Sequence, residues 1–374
     1  MDRRDPRRGS SAPGHLAAAC GLTLLSAWLA STDSRAEPAI AARTGYRCSQ
    51  CHVNRTGGGL RTSFGSLYSQ LTQPARLLEW RGDGSLLPAD PDARLQLGGN
   101  FRLQYLNVES DDVDDTSSFE VPEANAYLQV RLVPGRFSLY VDETLGPGGA
   151  SSRELFGLFE FSGGRSYLKA GKLLPPYGWR LPDDDAFVRR FTGFGYTAPD
   201  NGVELGFEPG RWSLHLAAIN GSGGSDADTS TQFTLLGVRR FRAWRAGLSA
   251  SNNITDAGTI THAGLLVGGN AGRLAWIAEG DWVEVSAAAT SHRLVGLLEA
   301  DVLAARGVNL KLAHDWLDPD TGLRTNAQAR DSLGVELIPF PFLQLRWFVR
   351  YHDGPRQTSG ANDTQVDFEA HFFF

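Results

Sequence analysis

The strongest constraint on this chain is a rhythm. From about residue 91 onward, segments of roughly ten residues alternate apolar and polar side chains, the period of a strand with two unlike faces. In the last segment Val366, Phe368, Ala370, Phe372 and Phe374 fall on one face, and Gln365, Asp367, Glu369 and His371 on the other. Residues 343–352 repeat it, with Leu343, Leu345, Trp347, Val349 and Tyr351 against Gln344, Arg346, Phe348, Arg350 and His352. A helix cannot keep such a pattern on two faces.

The junctions also alternate. Short ones fall at Pro134-Gly135, Gly163-Gly164, Glu208-Pro209-Gly210, Arg242-Ala243, Gly269-Asn270, Arg306-Gly307 and Pro339-Phe340. Long polar ones fall at 109–120, 146–151, 174–200, 221–230, 254–257, 285–290, 317–328 and 353–362. A soluble sandwich has no reason to gather its long loops at one end. A transmembrane antiparallel β-barrel does, with short periplasmic turns and long external loops. The spacing predicts about sixteen strands, an even count that returns both barrel ends to the periplasm. The apolar face then meets outer-membrane lipid and lipopolysaccharide, and the polar face lines the lumen. Composition agrees. Forty-three glycines, 9 Trp and 20 Phe accompany no apolar run of helical-span length beyond residue 36. A net charge of −6 argues against nucleic acid as a partner.

Residues 1–36 read as a secretory leader. Arg3, Arg4, Arg7 and Arg8 precede an apolar stretch at 16–30, and Ser34 and Ala36 are the small residues before cleavage after Ala36. These 36 residues carry five arginines and three aspartates, a net of +2, which leaves the rest near −8. Of three cysteines, Cys20 leaves with the leader, so Cys48 and Cys51 remain, followed at once by His52. This CSQCH is the c-type haem attachment pattern. Two thiols at that spacing reach the two vinyl groups of one haem, and the adjacent imidazole is placed to ligate the iron. The other readings are a thioredoxin-like redox pair, which wants a βαβ context, a zinc half-site, which wants more ligands nearby, and a structural disulfide. The chain therefore divides into 1–36 leader, 37–90 haem segment and 91–374 barrel, with one covalent haem c.

Known families share these features. The ending VDFEAHFFF resembles the assembly signal of Gram-negative outer-membrane barrels. YLKAGKLLPPYGWRL (167–181) resembles the strand and loop of phosphate-selective-type porins. TGYRCSQCHVNRTGGGLRTSFG (44–65) is similar to the N-terminal haem segment of outer-membrane barrels that carry a c-type cytochrome domain. The resemblance implies electron transfer at the outer membrane, with the haem segment periplasmic and periplasmic or surface cytochromes as partners. The alternative is a porin for small solutes in which the haem segment is a plug or sensor. No nucleophile motif supports hydrolysis, and a peroxidase-type haem enzyme would need an open iron site.

Several smaller expectations follow. Leu60, Phe64, Leu67, Tyr68 and Leu71 suit one amphipathic helix after Gly57-Gly58-Gly59. The acidic runs at 111–115 and 183–185 read as solvated external loops. Trp179, Tyr196, Trp316 and Tyr351 read as an interfacial girdle. The only Met is Met1, so a His/Met iron is excluded once the leader is removed. His52 is the proximal ligand. His262, His292 and His314 fall on the lipid-side parity, and His352 lies near an external end. His371 and His215 face the lumen near the periplasmic mouth, which makes His371 or His215 the candidate distal ligand.

Overall fold

A computed structural model describes residues 37–78, 90, 92–146, 148–221, 229–355, 358 and 360–374. The leader, its cleavage point and most of the boundary between haem segment and barrel lie outside the described residues. The strands are β1 (Leu95–Ser110), β2 (Thr116–Val133), β3 (Phe137–Gly146), β4 (Ser151–Phe161), β5 (Ser166–Leu173), β6 (Asp200–Phe207), β7 (Trp212–Ile219) and β8 (Thr231–Arg240). They continue as β9 (Trp244–Thr255), β10 (Gly258–Ala271), β11 (Leu274–Ser286), β12 (Thr290–Ala305), β13 (Val308–Asp318), β14 (Gln328–Phe340), β15 (Leu343–Asp353) and β16 (Asp363–Phe373).

Each strand pairs antiparallel with its sequence neighbours, and β1 pairs with β16, so the sixteen strands form a closed barrel. The closing register runs from Asn100 opposite Phe373 to Ser110 opposite Asp363. Closure removes the unpaired edges that an open sheet would expose. The two faces are inverted relative to a soluble protein. Leu97, Leu265, Leu312, Leu333 and Trp347 point outward and are exposed, whereas Lys169, Glu204, Asp315 and Arg330 point inward and are buried. An apolar belt of this extent is unstable in water and matches lipid.

Short turns occupy one end throughout, but the other end is not uniformly long: β9 and β10 are joined by Asp256-Ala257 alone and β11 and β12 by residues 287–289, because the strands run on into stretches whose polarity reads as loop. Two of the short turns also shift. Gly269 and Asn270 stay in the β10–β11 ladder, opposite Trp276 and Ala275. That turn falls at Gly272-Arg273, where Gly272 takes φ 61°. β14 likewise runs through Pro339-Phe340, and its turn falls at Pro341-Phe342.

The N-terminal segment sits in the short-turn mouth. It forms α1 (Pro38–Thr44), α2 (Cys48–Cys51) and α3 (Ser63–Leu71). Pro38 opens α1, where a missing N–H costs nothing, and Gly45 closes it in the left-handed region at φ 75°. Thr62 caps α3, its hydroxyl accepting from the Gly65 N–H at 3.1 Å. The segment is tied to the turns. Arg47 donates to the Gly210 carbonyl and Arg55 to Gly164. The Ala75 N–H bonds Ile338 O at 2.8 Å, and Arg306 donates to Pro74 O at 2.8 Å. The expected amphipathic helix exists, but Leu60 precedes it. Its most buried residues are Ser63, Gly65, Tyr68, Ser69 and Gln70, while Phe64 is 44% exposed. A helix inside a polar lumen buries its polar side, which reverses the usual reading of the apolar stripe.

The long loop 174–199 enters the barrel as well, and α4 (Phe187–Arg190) lies within it. Trp179, Leu181, Phe187 and Val188 pack against the inner-wall residues Leu236, Leu266, Ile277, Val295, Leu297 and Leu317. This apolar patch inside the lumen corrects three expectations. Trp179 and Tyr196 belong to the inward loop and not to a girdle, whereas Trp316 and Tyr351 do face outward. His262 faces the lumen, beside Tyr177 and Phe194, because β10 carries apolar residues on both faces and its parity cannot be read from hydropathy. Asp183 is not a solvated loop residue but pairs with Arg330 at 2.8 Å, and Asp184 lies 3.8 Å from Arg102. The run Asp111–Asp115 is exposed, as expected.

Candidate functional site: a cavity behind Cys48, Cys51 and His52

α2 is a single turn that places both cysteines on the way into the barrel. The His52 N–H closes it on Cys48 O at 2.8 Å. A short hairpin follows, with His52 bridged to Arg61, and the Val53 N–H bonds Leu60 O at 2.9 Å. Gly57, Gly58 and Gly59 form its tip, all at positive φ (98°, 81° and 65°). A side chain there would be strained, and it would also collide. A Cβ on Gly59 would meet the Tyr140 hydroxyl at 2.1 Å, and one on Gly58 the Tyr196 hydroxyl at 2.8 Å. The glycines thus serve both a turn and a close approach, but the approach is to barrel and loop tyrosines.

The hairpin is seated by buried polar contacts. Asn54 donates to Glu154 at 2.6 Å and accepts from Lys169 at 3.2 Å. The Leu60 N–H bonds the Tyr140 hydroxyl at 3.1 Å. Arg55 pairs with Glu160 and, at 3.2 Å, with Glu208, which is 2% exposed. α3 closes on α2 so tightly that a Cβ on Gly65 would lie 2.1 Å from Cys51 O.

Behind these elements lies a cavity that opens to solvent. Cys48, Cys51 and His52 line it, and so do His215 and His371. The barrel therefore brings together all five residues singled out from the sequence. The others stay apart. His292 stacks on Trp282 outside the barrel, His314 bonds Asp331 outside at 2.8 Å, and His352 bonds Asp363 at 2.7 Å near the long-loop end.

The donor set fits a covalently held haem. Cys48 and Cys51 are free thiols. Burial pushes both up, Cys51 to about 11, so neither is the reactive thiolate that a redox pair needs. Burial, with Arg61 nearby, lowers His52 to about 4, so its imidazole is neutral and keeps a lone pair. Arg61, Arg180 and Arg245 line the cavity without a carboxylate partner among the described residues. Arg180 and Arg245 donate to backbone carbonyls and Arg61 lies over the Phe373 ring. Such cations suit the two propionates of a haem.

Sequence reasoning missed three residues here. Gln344 bonds His371, Arg180 bonds the hairpin tip, and Tyr196 packs on it. Luminal parity could have found Gln344. Nothing local marks the other two, because the loop carrying them reads as external.

No family model matches the chain, and no curated protein matches it. Solved structures do match its fold. A loop-deletion form of OmpT, an outer membrane protein of Vibrio cholerae, superposes with a TM-score of 0.61 at 12% identity, covering 75% of this chain and 99% of that one. An anion-selective porin from Comamonas acidovorans gives 0.61 at 11% identity, over 75% and 99%. The outer membrane channel DcaP of Acinetobacter baumannii gives 0.56 at 12%, over 75% and 97%. The chain thus has a porin-like sixteen-stranded fold.

Proposed function

We propose that this protein is an outer-membrane barrel of the porin type, in contact with lipid and lipopolysaccharide. Its periplasmic mouth is closed by a segment bearing one covalent c-type haem, which acts as a plug or sensor for small solutes. One observation carries this reading. Residues 37–76 occupy the short-turn mouth and touch the inward loop, so any solute must pass or move the Cys48–His52 segment. A sixteen-stranded barrel is wide enough for an aqueous path unless it is filled. The named porins and channels support the barrel part of the proposal by fold alone.

A second reading, electron transfer at the outer membrane, is favoured by the shared cavity of Cys48, Cys51, His52, His215 and His371. A bound haem supplies one-electron redox chemistry there. The chain would attach it through Cys48 and Cys51 and orient it through His52, with the hairpin and the inward loop on either side. One haem is far smaller than the hydrocarbon core of about 30 Å, so this reading requires docked partner cytochromes.

The test uses the full-length protein and a Cys48→Ala/Cys51→Ala double variant. In-gel haem staining after denaturation should be lost in the variant while the barrel still inserts. Staining that survives would overturn attachment at CSQCH. Planar-bilayer recordings separate the two roles. Solute currents that change with the haem's redox state support a plug or sensor. Silent bilayers with donor-driven reduction across a proteoliposome wall support electron transfer.

A further inference from the structure

We infer that His371 is the distal iron ligand and that Gln344 positions it, an assignment that rests on the haem reading of CSQCH. β16 turns Asp367, Glu369, His371 and Phe373 inward, and β15 places Gln344 directly opposite His371. His371 Nδ1 lies 2.9 Å from Gln344 Oε1, and Gln344 Nε2 lies 3.3 Å from Glu37 Oε1.

These contacts decide the chemistry of the ring. The Glu37 carboxylate also accepts from Lys311 at 2.6 Å and can only accept, so Gln344 must turn its NH₂ group toward it. The Gln344 oxygen therefore faces His371 and can only accept as well. Nδ1 must carry the proton, which leaves Nε2 with its lone pair. Nε2 is buried and has no hydrogen-bond partner among the described residues, in a side chain that lines the same cavity as Cys48, Cys51 and His52. A neutral imidazole whose far nitrogen is fixed by a hydrogen bond and whose near nitrogen is free is the arrangement of a metal ligand.

A short chain of contacts also links the two histidines. His52 is bridged to Arg61, and the Arg61 guanidinium lies 4.4 Å from the centre of the Phe373 ring, two residues from His371. His215 is engaged differently. Its Nδ1 lies 2.7 Å from the Tyr167 hydroxyl, which donates to the buried Glu204 carboxylate, so its partner is a Tyr–Glu pair on neighbouring strands and not an amide tied to the N-terminal segment.

The experiment compares purified full-length wild type, His371→Ala, His215→Ala and Gln344→Leu by optical and electron paramagnetic resonance spectra. All are first stained for covalent haem after denaturation. The wild type should be low-spin. His371→Ala should lose the low-spin signature and bind carbon monoxide, and added imidazole should restore the signature. That rescue distinguishes a lost ligand from a misfolded barrel. His215→Ala should stay low-spin. Gln344→Leu should stay low-spin with a raised midpoint potential, because losing the hydrogen bond at Nδ1 makes the ligand less basic. A low-spin His371→Ala, or a His371→Ala that imidazole does not rescue, overturns the assignment. An unstained wild type instead overturns the haem reading on which it rests.

Discussion

Arg180 Nη1 donates to the carbonyl oxygen of Gly57 at 2.9 Å. The bond joins a loop that enters the barrel from the long-loop end to a hairpin that enters from the short-turn end. Arg180 also donates to the carbonyls of Leu174 and Pro175 in its own loop, both at 3.3 Å. It therefore holds the loop's shape as well as the seam.

Arg180→Ala should loosen that seam. A charged donor contributes about 1.5–3 kcal/mol to such a bond. The expected result is more frequent or larger openings in planar-bilayer recordings at unchanged thermal stability of the barrel. Identical conductance would show that the seam does not limit passage.

Arg55→Ala should release the hairpin. It removes the partner of Glu208, a carboxylate that is 2% exposed, and leaves that charge buried. Breaking a buried pair from one side costs about 3–5 kcal/mol. Limited proteolysis should cut within 53–78 in the variant and spare the wild type.

Gly65→Ala should separate α3 from α2, since its Cβ would lie 2.1 Å from Cys51 O. Overpacking of this kind costs about 1–3 kcal/mol. Covalent haem yield should fall in stained gels while heat-modifiable migration of the barrel persists. Full yield would mean that the helices separate without moving Cys51.

Acid should unseat the start of the segment. Burial alone would raise the Glu37 carboxyl, but Lys311 beside it holds it well below the usual range. A depressed carboxyl contributes stability above its unfolded value, about 4.3, and loses it as pH falls below that. Protease cleavage within 38–52 should rise below that pH in the wild type. In Glu37→Gln the dependence should flatten.

Deleting Phe374 should impair assembly. Its outward ring is 49% exposed, and its backbone exchanges bonds with Gly99 across the β1–β16 seam, at 3.1 and 3.3 Å. Outer-membrane yield measured by heat-modifiable migration checks this, and unchanged yield would remove Phe374 from the assembly signal.

Much of this protein was determined by its sequence alone. Two-residue periodicity carries strand identity and facing wherever one face meets lipid, which is why outward Leu214, Leu216, Phe368 and Phe372 put His215 and His371 on the inner face. Junction signals carry the strand count, and with an even count they put the N-terminal segment at the short-turn end. The CSQCH spacing is local, so the haem proposal drawn from it starts from the sequence and not from the fold. What only the tertiary structure decided lies where the lumen is filled. Loop 174–199 reads as external because its polarity and length resemble any solvated loop, yet it folds inward onto Leu236, Leu266 and Ile277. Those inner-wall residues erased the hydropathy contrast around His262. Meetings such as Arg180 with Gly57, or Gln344 with both His371 and Glu37, join residues more than a hundred positions apart or on separate strands. No periodicity encodes them, because they exist only once the closed barrel has fixed which side chains share its interior.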